Sequence, residues 1–336
     1  MSKYLSKQTS AHNVEKVREH RVTGFYEHTL WRAFYRARRY SAFLFLSFVV
    51  CGIVHAQSLR LQRTISITTA NQSVLTEFSP SAFSVSVNDV LYVSDRSQNR
   101  ILKIDPSGQI LEARGRFGWQ PEEYDQPSDL VLAQNLNLFV ADYNNSRLQQ
   151  YDRHMNFIRT IPLEDKDSGV LYYPKSVDQA PSGWLYVLDA EQNQLLRLNP
   201  RGDVIQSIGT FAQMGKDLQQ ASRIRVHPNG DIWVFSVPGC IDIFDQFGTP
   251  KRTLRDSVIR APVSAVFFEP DAILLNQAGT LVRYSAESGF HQLLLPVSLR
   301  KSQQAVDISR SGRSLFLLME NPVQIHQFLY NSDRED

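Results

Sequence analysis

Three aspartates recur at one interval. Asp95, Asp142 and Asp189 close the runs Leu91-Tyr92-Val93-Ser94, Leu138-Phe139-Val140-Ala141 and Leu185-Tyr186-Val187-Leu188, each 47 residues after the last. Ser236 ends a fourth, degraded copy, Ile232-Trp233-Val234-Phe235, after the same interval. Carboxylates brought together could hold a hard cation or trade protons with a substrate. Equal spacing argues the other way, because one residue per repeat puts the three in separate units, too far apart to share one metal or proton. The chemistry expected of them is local: a turn aspartate accepting backbone N–H bonds, with Arg100 and Arg147 bracing the same turns. Other reactive types are sparse. Beyond residue 56 there are four histidines, His154, His227, His291 and His326, with no clustered ligand set for zinc among them. Cys240, in a Pro238-Gly239-Cys240 turn, is expected to be a half-buried small residue rather than a reactive thiol. No serine elbow, glycine-rich phosphate loop or Cys/His pair is present.

A fixed interval of this size marks a repeat architecture. In the second unit four short β runs, residues 128–133, 138–141, 147–151 and 157–161, are separated by polar turns. Runs about five residues long and apolar on both alternations suit sheets sandwiched between neighbours, and no helical period interrupts the series. Counting first strands at 82–87, 128–133, 176–179, 223–226, 264–268 and 305–309 yields six units. The sixth stops after a third strand at 323–329, while residues 61–67 form a lone strand with no unit of its own. Pairing these two would close a ring and remove its exposed edges. The fold expected is all-β: a six-bladed β-propeller of four antiparallel strands per blade, completed by the N-terminal strand.

The segment Gly115-Arg116-Phe117-Gly118, then Gln126-Pro127-Ser128-Asp129, Val140-Ala141-Asp142 and Asn145-Ser146-Arg147-Leu148, resembles the NHL repeat. The resemblance is strong in the first three units, weakens after about residue 236, and implies a propeller, most often of six blades. Gluconolactonase-like enzymes share that ring and hold one divalent ion in the central channel through acidic and amide oxygens. By that analogy Asp129, Asp178 and Asp307 are the channel-facing candidates here, able to offer oxygen ligands to Ca²⁺ or Mg²⁺. Asp129 and Asp178 stand at different offsets from their blade aspartates, 13 and 11 residues, so they need not lie at one depth.

Residues 1–56 read differently. Basic residues crowd toward Arg32, Arg36, Arg38 and Arg39, an uncharged run follows over 41–54, and Val54-His55-Ala56 offers small residues at a cleavage site. This is the pattern of a secretory signal, too short for an ordinary membrane span of roughly 20 apolar residues. The expected product is a single propeller domain over 57–336, exported to the periplasm or outside the cell. Tethering through an uncleaved signal anchor is the alternative. The leader holds nine of the 36 Lys/Arg and three of the 34 Asp/Glu, leaving 27 basic and 31 acidic residues, a net charge of about −4. A mature chain of that sign is not expected to bind nucleic acid. With Cys240 its only cysteine, it must hold by side-chain contacts alone.

The face expected to work is formed by the loops entering the first strands and those joining second to third strands. It offers Arg116, Trp119 and Tyr124 in one loop, Tyr143 in a short turn, and Tyr172, Tyr173 and Lys175 in the next loop, with Phe211, Met214 and Lys216 in a third. Tyr, Trp and Arg are the residue types enriched at interface hot spots; the competing expectation is that the aromatics tuck under the loops and cap blade junctions. The function expected is a non-catalytic, cofactor-free, monomeric binder of a protein, peptide or glycan, with a metal-dependent propeller hydrolase or lyase as the alternative.

Overall fold

The computed structural model describes residues 59–67, 78–133, 135–209, 218, 220–295, 304–320 and 323–331. The chain divides between His55 and Ala56 into two units; the leader and the loop carrying Phe211, Met214 and Lys216 lie outside the described residues. Among those described, 24 strands, β1–β24 in chain order, form six four-stranded sheets, and no helix is long and apolar enough to cross a membrane.

One blade shows how the sequence makes the rest. In the second, β6 (Pro127–Leu132), β7 (Leu138–Asp142), β8 (Arg147–Tyr151) and β9 (Phe157–Pro162) pair antiparallel from the axis outward. Every residue of β7 is buried, as is every residue of β3 (Leu91–Asp95), β11 (Leu185–Asp189) and β15 (Ile232–Ser236). These second strands have a sheet face on each side, so both alternations must be apolar. Tyr92, Ile101, Leu130, Leu138, Val140 and Tyr151 form one shared core between the first and second blades. Burial of each such side chain contributes about 1.5–3 kcal/mol.

The ring closes as expected. β1 (Leu59–Ser66) is the outermost strand of the last blade, paired from Leu59↔Tyr330 to Ser66↔Gln324 with β24 (Gln324–Tyr330). Gly108 guards this closure: at φ +97° its missing Cβ would meet the Ser66 carbonyl oxygen at 2.3 Å. The Asp95–Arg100 and Asp142–Arg147 turns follow the expectation too. Asp95 accepts the amides of Ser79 and Gln98 and pairs with Arg100 Nε at 2.9 Å.

The six innermost strands are β2 (Pro80–Val85), β6, β10 (Pro174–Gln179), β14 (Ala221–Val226), β18 (Pro262–Phe268) and β22 (Gln304–Ser311). Each carries a bulge after its opening residues, at Ser81, Ser128, Lys175, Ser222, Val263 and Val306. The bulge matters because it sets which side chains reach the next blade across the axis.

Candidate functional site

Innermost strands have no partner on their axial edge, and unpaired buried amides are costly. Side chains of the preceding blade supply acceptors. Val177 N donates to Asp129 Oδ2 at 3.2 Å, Ile224 N to Ser176 Oγ at 3.1 Å, and Val226 N to Asp178 Oδ2 at 2.7 Å. Phe83 N donates to Asp307 Oδ2 at 3.3 Å, Val85 N to Ser309 Oγ at 3.2 Å and Leu132 N to Ser84 Oγ at 3.1 Å. The channel aspartates are therefore inter-blade fasteners first.

Two arginines complete the axis. Arg223 and Arg225 both project from β14. Arg225 reaches Asp129 Oδ2 at 3.3 Å and Asp307 Oδ2 at 3.0 Å, while Arg223 reaches Asp307 Oδ2 at 2.5 Å and Asp129 Oδ1 at 3.6 Å. Burial works to raise the Asp307 carboxyl, but Arg223 and Arg225 outweigh it and hold it below its ordinary value. Burial opposes the charge on Arg225 as well, yet Asp307, Asp129 and Asp178 raise its affinity for the proton. Asp178 sits at the depth of Arg225, two residues deeper along its strand than Ser176, the partner of Asp129. Burial pushes its carboxyl up to about 6, against the pull of Arg225.

Asp129 and Asp307 do converge, but on two guanidinium groups, and Asp178 is turned to the amides of Val226 and Gln179. Fixed cations occupy the place between the carboxylates, so this donor set does not fit Ca²⁺ or Mg²⁺. No group of three or more His, Cys, Asp or Glu among the described residues could hold a metal. Sequence reading missed both arginines. The signal was there: at the 47-residue interval Arg223 falls on the position of Ser176, Asp129 and Ala82.

The raised Asp178 yields a pH prediction. Folding takes up a proton at this carboxyl between its ordinary 3.8 and about 6, so its contribution favours the native state at low pH and is lost as pH rises through 6. Across that window the contribution changes by about 3 kcal/mol. Asp178→Asn retains an oxygen for Val226 N, and urea midpoints measured from pH 4 to 7 are expected to lose this slope. An unchanged slope would show that Asp178 titrates normally.

The loop face is built on Asp142 and Arg147. Arg147 Nε pairs with Asp142 Oδ2 at 2.7 Å and its terminal nitrogens donate to the carbonyls of Trp119 (2.6 Å), Gln120 (3.0 Å) and Glu123 (2.8 Å). Asp142 Oδ1 accepts the amide of Asp125 at 2.8 Å, and Asn145 Nδ2 donates to the Gly118 carbonyl at 2.9 Å. The loop between β5 (Ile110–Arg114) and β6 is thus held at several backbone positions by buried polar groups.

The seven loop-face candidates separate into three groups. Tyr124 and Tyr172 are corrections that follow the competing expectation: both are buried, and Tyr172 lines a groove beside residues 204–207. Tyr124 donates its hydroxyl hydrogen bond to Tyr151 Oη at 2.6 Å, and Tyr172 fills the core between the second and third blades. They cap blade junctions because loops crossing from blade to blade must seal the apolar seam below them. Trp119 stays out, 67 % exposed, with its ring edge-on to Phe117, itself 56 % exposed, at 5.4 Å. Arg116 extends beside them and pairs with Glu123 at 2.7 Å. Tyr143, Tyr173 and Lys175 form a separate group: the two rings lie 5.8 Å apart, Tyr143 Oη donates to Glu191 Oε1 at 2.9 Å, and Lys175 Nζ donates to the Ala221 carbonyl at 2.8 Å. Burial, and then Arg96, hold the Lys175 ammonium below its ordinary pKa. Phe117 was missed in sequence because its burial could not be read from its place in the glycine loop.

Six closed four-stranded blades around an axis define a six-bladed β-propeller. Residues 124–151 match the family model of the NHL repeat, a repeat that lies within this six-bladed ring. The sequence matches no curated protein. Similar solved structures include a streptogramin B lyase, 12% identical with a TM-score of 0.57, covering 82% of this chain and 99% of that one. Virginiamycin B lyase from Staphylococcus aureus is similar at 11% identity and a TM-score of 0.58, covering 81% and 100%. A catalytically inactive variant of that lyase with quinupristin is similar at 13% identity and 0.58, with the same coverage. At these identities the likeness concerns the fold.

Proposed function

We propose that the chain is an exported, non-catalytic propeller that binds a protein, peptide or glycan partner on its loop face, centred on Phe117 and Trp119 with Arg116. One observation carries this reading: two large aromatic rings are kept in water on a loop whose backbone is fastened from beneath by Arg147. Exposed apolar area of this size costs hydrophobic free energy that a partner would recover. Rigid anchoring reduces the ordering cost of binding. Tyr143, Tyr173 and Lys175 extend the same face.

The test is screening of residues 57–336 against peptide and glycan arrays, in parallel with the Phe117→Ala/Trp119→Ala variant. The expected result is a ligand whose affinity falls at least tenfold in the variant, about 1.4 kcal/mol or more, while thermal stability stays within a few degrees. A ligand that binds both proteins equally would sink the site. The rival metal-dependent hydrolase or lyase predicts a stoichiometric divalent ion and a melting temperature lowered by EDTA; the axial arginines lead us to expect neither. Export predicts a mature protein beginning at Gln57, checked by N-terminal sequencing.

A further inference from the structure

Every propeller blade ends in an outer strand with a free edge, and natural sheets guard such edges with charge. Here β1 carries Arg60 and Arg63, β5 carries Glu112 and Arg114, β9 carries Arg159, and β17 (Pro250–Leu254) carries Lys251 and Arg252. Of the two remaining, β21 (Gly289–Leu293) holds His291. β13 (Val204–Ile208), reading Val-Ile-Gln-Ser-Ile, has no ionisable residue at all. Among the described residues it is the last strand of its sheet, paired with β12 (Gln194–Leu198) on the inner side.

A groove of about 370 Å³ runs beside it. Four consecutive residues of β13, from Val204 to Ser207, line this groove. Ile205 is the bulged residue of the strand, between the Val204↔Leu198 and Gln206↔Arg197 pairs, which brings consecutive residues to the groove. The opposite wall is a hairpin-like excursion joining the second and third blades, closed by the Glu164↔Leu171 bridge and the Tyr172 N to Leu163 O bond of 2.9 Å. Ile205 is 53 % exposed, and Val170 and Leu171 on the hairpin are also exposed. The hairpin contributes Glu164, Asp165 and Asp167 against one lysine, Lys166, which is paired with Asp203 at 3.2 Å. The amides of Asp167 and Ser168 hold the Asp165 carboxyl below its ordinary pKa, so its charge persists.

We propose that β13 is a strand-addition site that takes an extended peptide of alternating basic and apolar residues, seated between β13 and the 164–171 hairpin. Main-chain hydrogen bonds to the edge supply the affinity, Val204, Ile205 and the Tyr172 ring that lines the opposite wall receive the apolar side chains, and the acids select the basic ones. The same acids argue against a second copy of this chain as the occupant, because edge-to-edge pairing would bring two acidic hairpins toward each other. The site uses none of Arg116, Phe117 and Trp119, although its hairpin belongs to the loop that ends in Tyr172 and Tyr173.

The probe is a fluorescent eight-residue peptide alternating lysine and valine, with a glutamate–valine peptide as control, titrated into residues 57–336. Saturable one-to-one binding of the lysine peptide alone is expected, weakened at least tenfold by Ile205→Lys and severalfold by Glu164→Gln/Asp167→Asn or by raising salt. Amide hydrogen exchange within 204–207 is expected to slow when the peptide is bound. Equal binding of both peptides, or binding untouched by Ile205→Lys, would overturn the proposal. So would a dimer in sedimentation that Ile205→Lys dissolves, which would assign the edge to self-association. The Phe117→Ala/Trp119→Ala protein is expected to bind the peptide normally, separating failure here from failure of the loop-face reading.

Discussion

Arg225→Met is expected to lower unfolding stability by about 3–5 kcal/mol, the cost of breaking a buried ion pair from one side. Arg225 donates to Asp129 and twice to Asp307, whose side chains are fully buried, and Arg223 alone remains to face both carboxylates once it is gone. Methionine fills much of the same volume, so the loss reports charge rather than a cavity. Two further measurements make the result diagnostic. The deficit should shrink as pH falls toward 4, because an unpaired buried carboxylate relieves itself by taking up a proton. Adding Asp307→Asn to Arg225→Met should recover much of the loss, since an amide oxygen can still accept Phe83 N. Urea denaturation of the three proteins measures all of this. A loss below about 1 kcal/mol, the range of exposed ion pairs, would mean that water reaches the axis and the cluster is not structural.

The second large effect concerns the loop face. Asp142→Ala removes the acceptor of the Asp125 amide, of Asn145 Nδ2 and of Arg147 Nε together, and leaves the buried guanidinium of Arg147 without its carboxylate. A cost of about 3–4 kcal/mol is expected, with faster hydrogen exchange over 116–126 and loss of the loop-face binding carried by Trp119. The repeat supplies an internal control. At the equivalent position of the third blade Asp189 bonds the neutral amide of Gln194 in place of an arginine, along with the Tyr173 amide at 2.9 Å. Asp189→Ala strands no charge and should cost about 1–2 kcal/mol. If thermal or urea melts show the two losses equal, the arginine staple does not carry the loop.

Particular residues explain why some of this was legible from the chain and some was not. Asp95, Asp142 and Asp189 were read correctly as turn acceptors because their partners lie within a few residues or in the adjoining loop, and local spacing encodes such bonds. The closing of the ring by β1 was legible for another reason: a leftover strand and a blade one strand short have only each other. The loop aromatics were half legible. Residue type nominated Tyr124, Tyr172 and Trp119 alike, yet two are buried and one is exposed, which depends on where the blade seam passes beneath each loop.

The channel marks the division most clearly. By itself the sequence determined the repeat, the six blades, their turns and the apolar content of the second strands, since all of these rest on periodic patterns within about 47 residues. Only the tertiary structure decided what meets on the axis. Arg225 and Asp307 are 82 residues apart, Arg225 and Asp129 96 apart, and no periodicity pairs them. Their neutralisation depends on strand bulges that turn particular side chains toward the next blade, and on burial that makes an unpaired charge costly. Those conditions exist only once six strands have closed around one line.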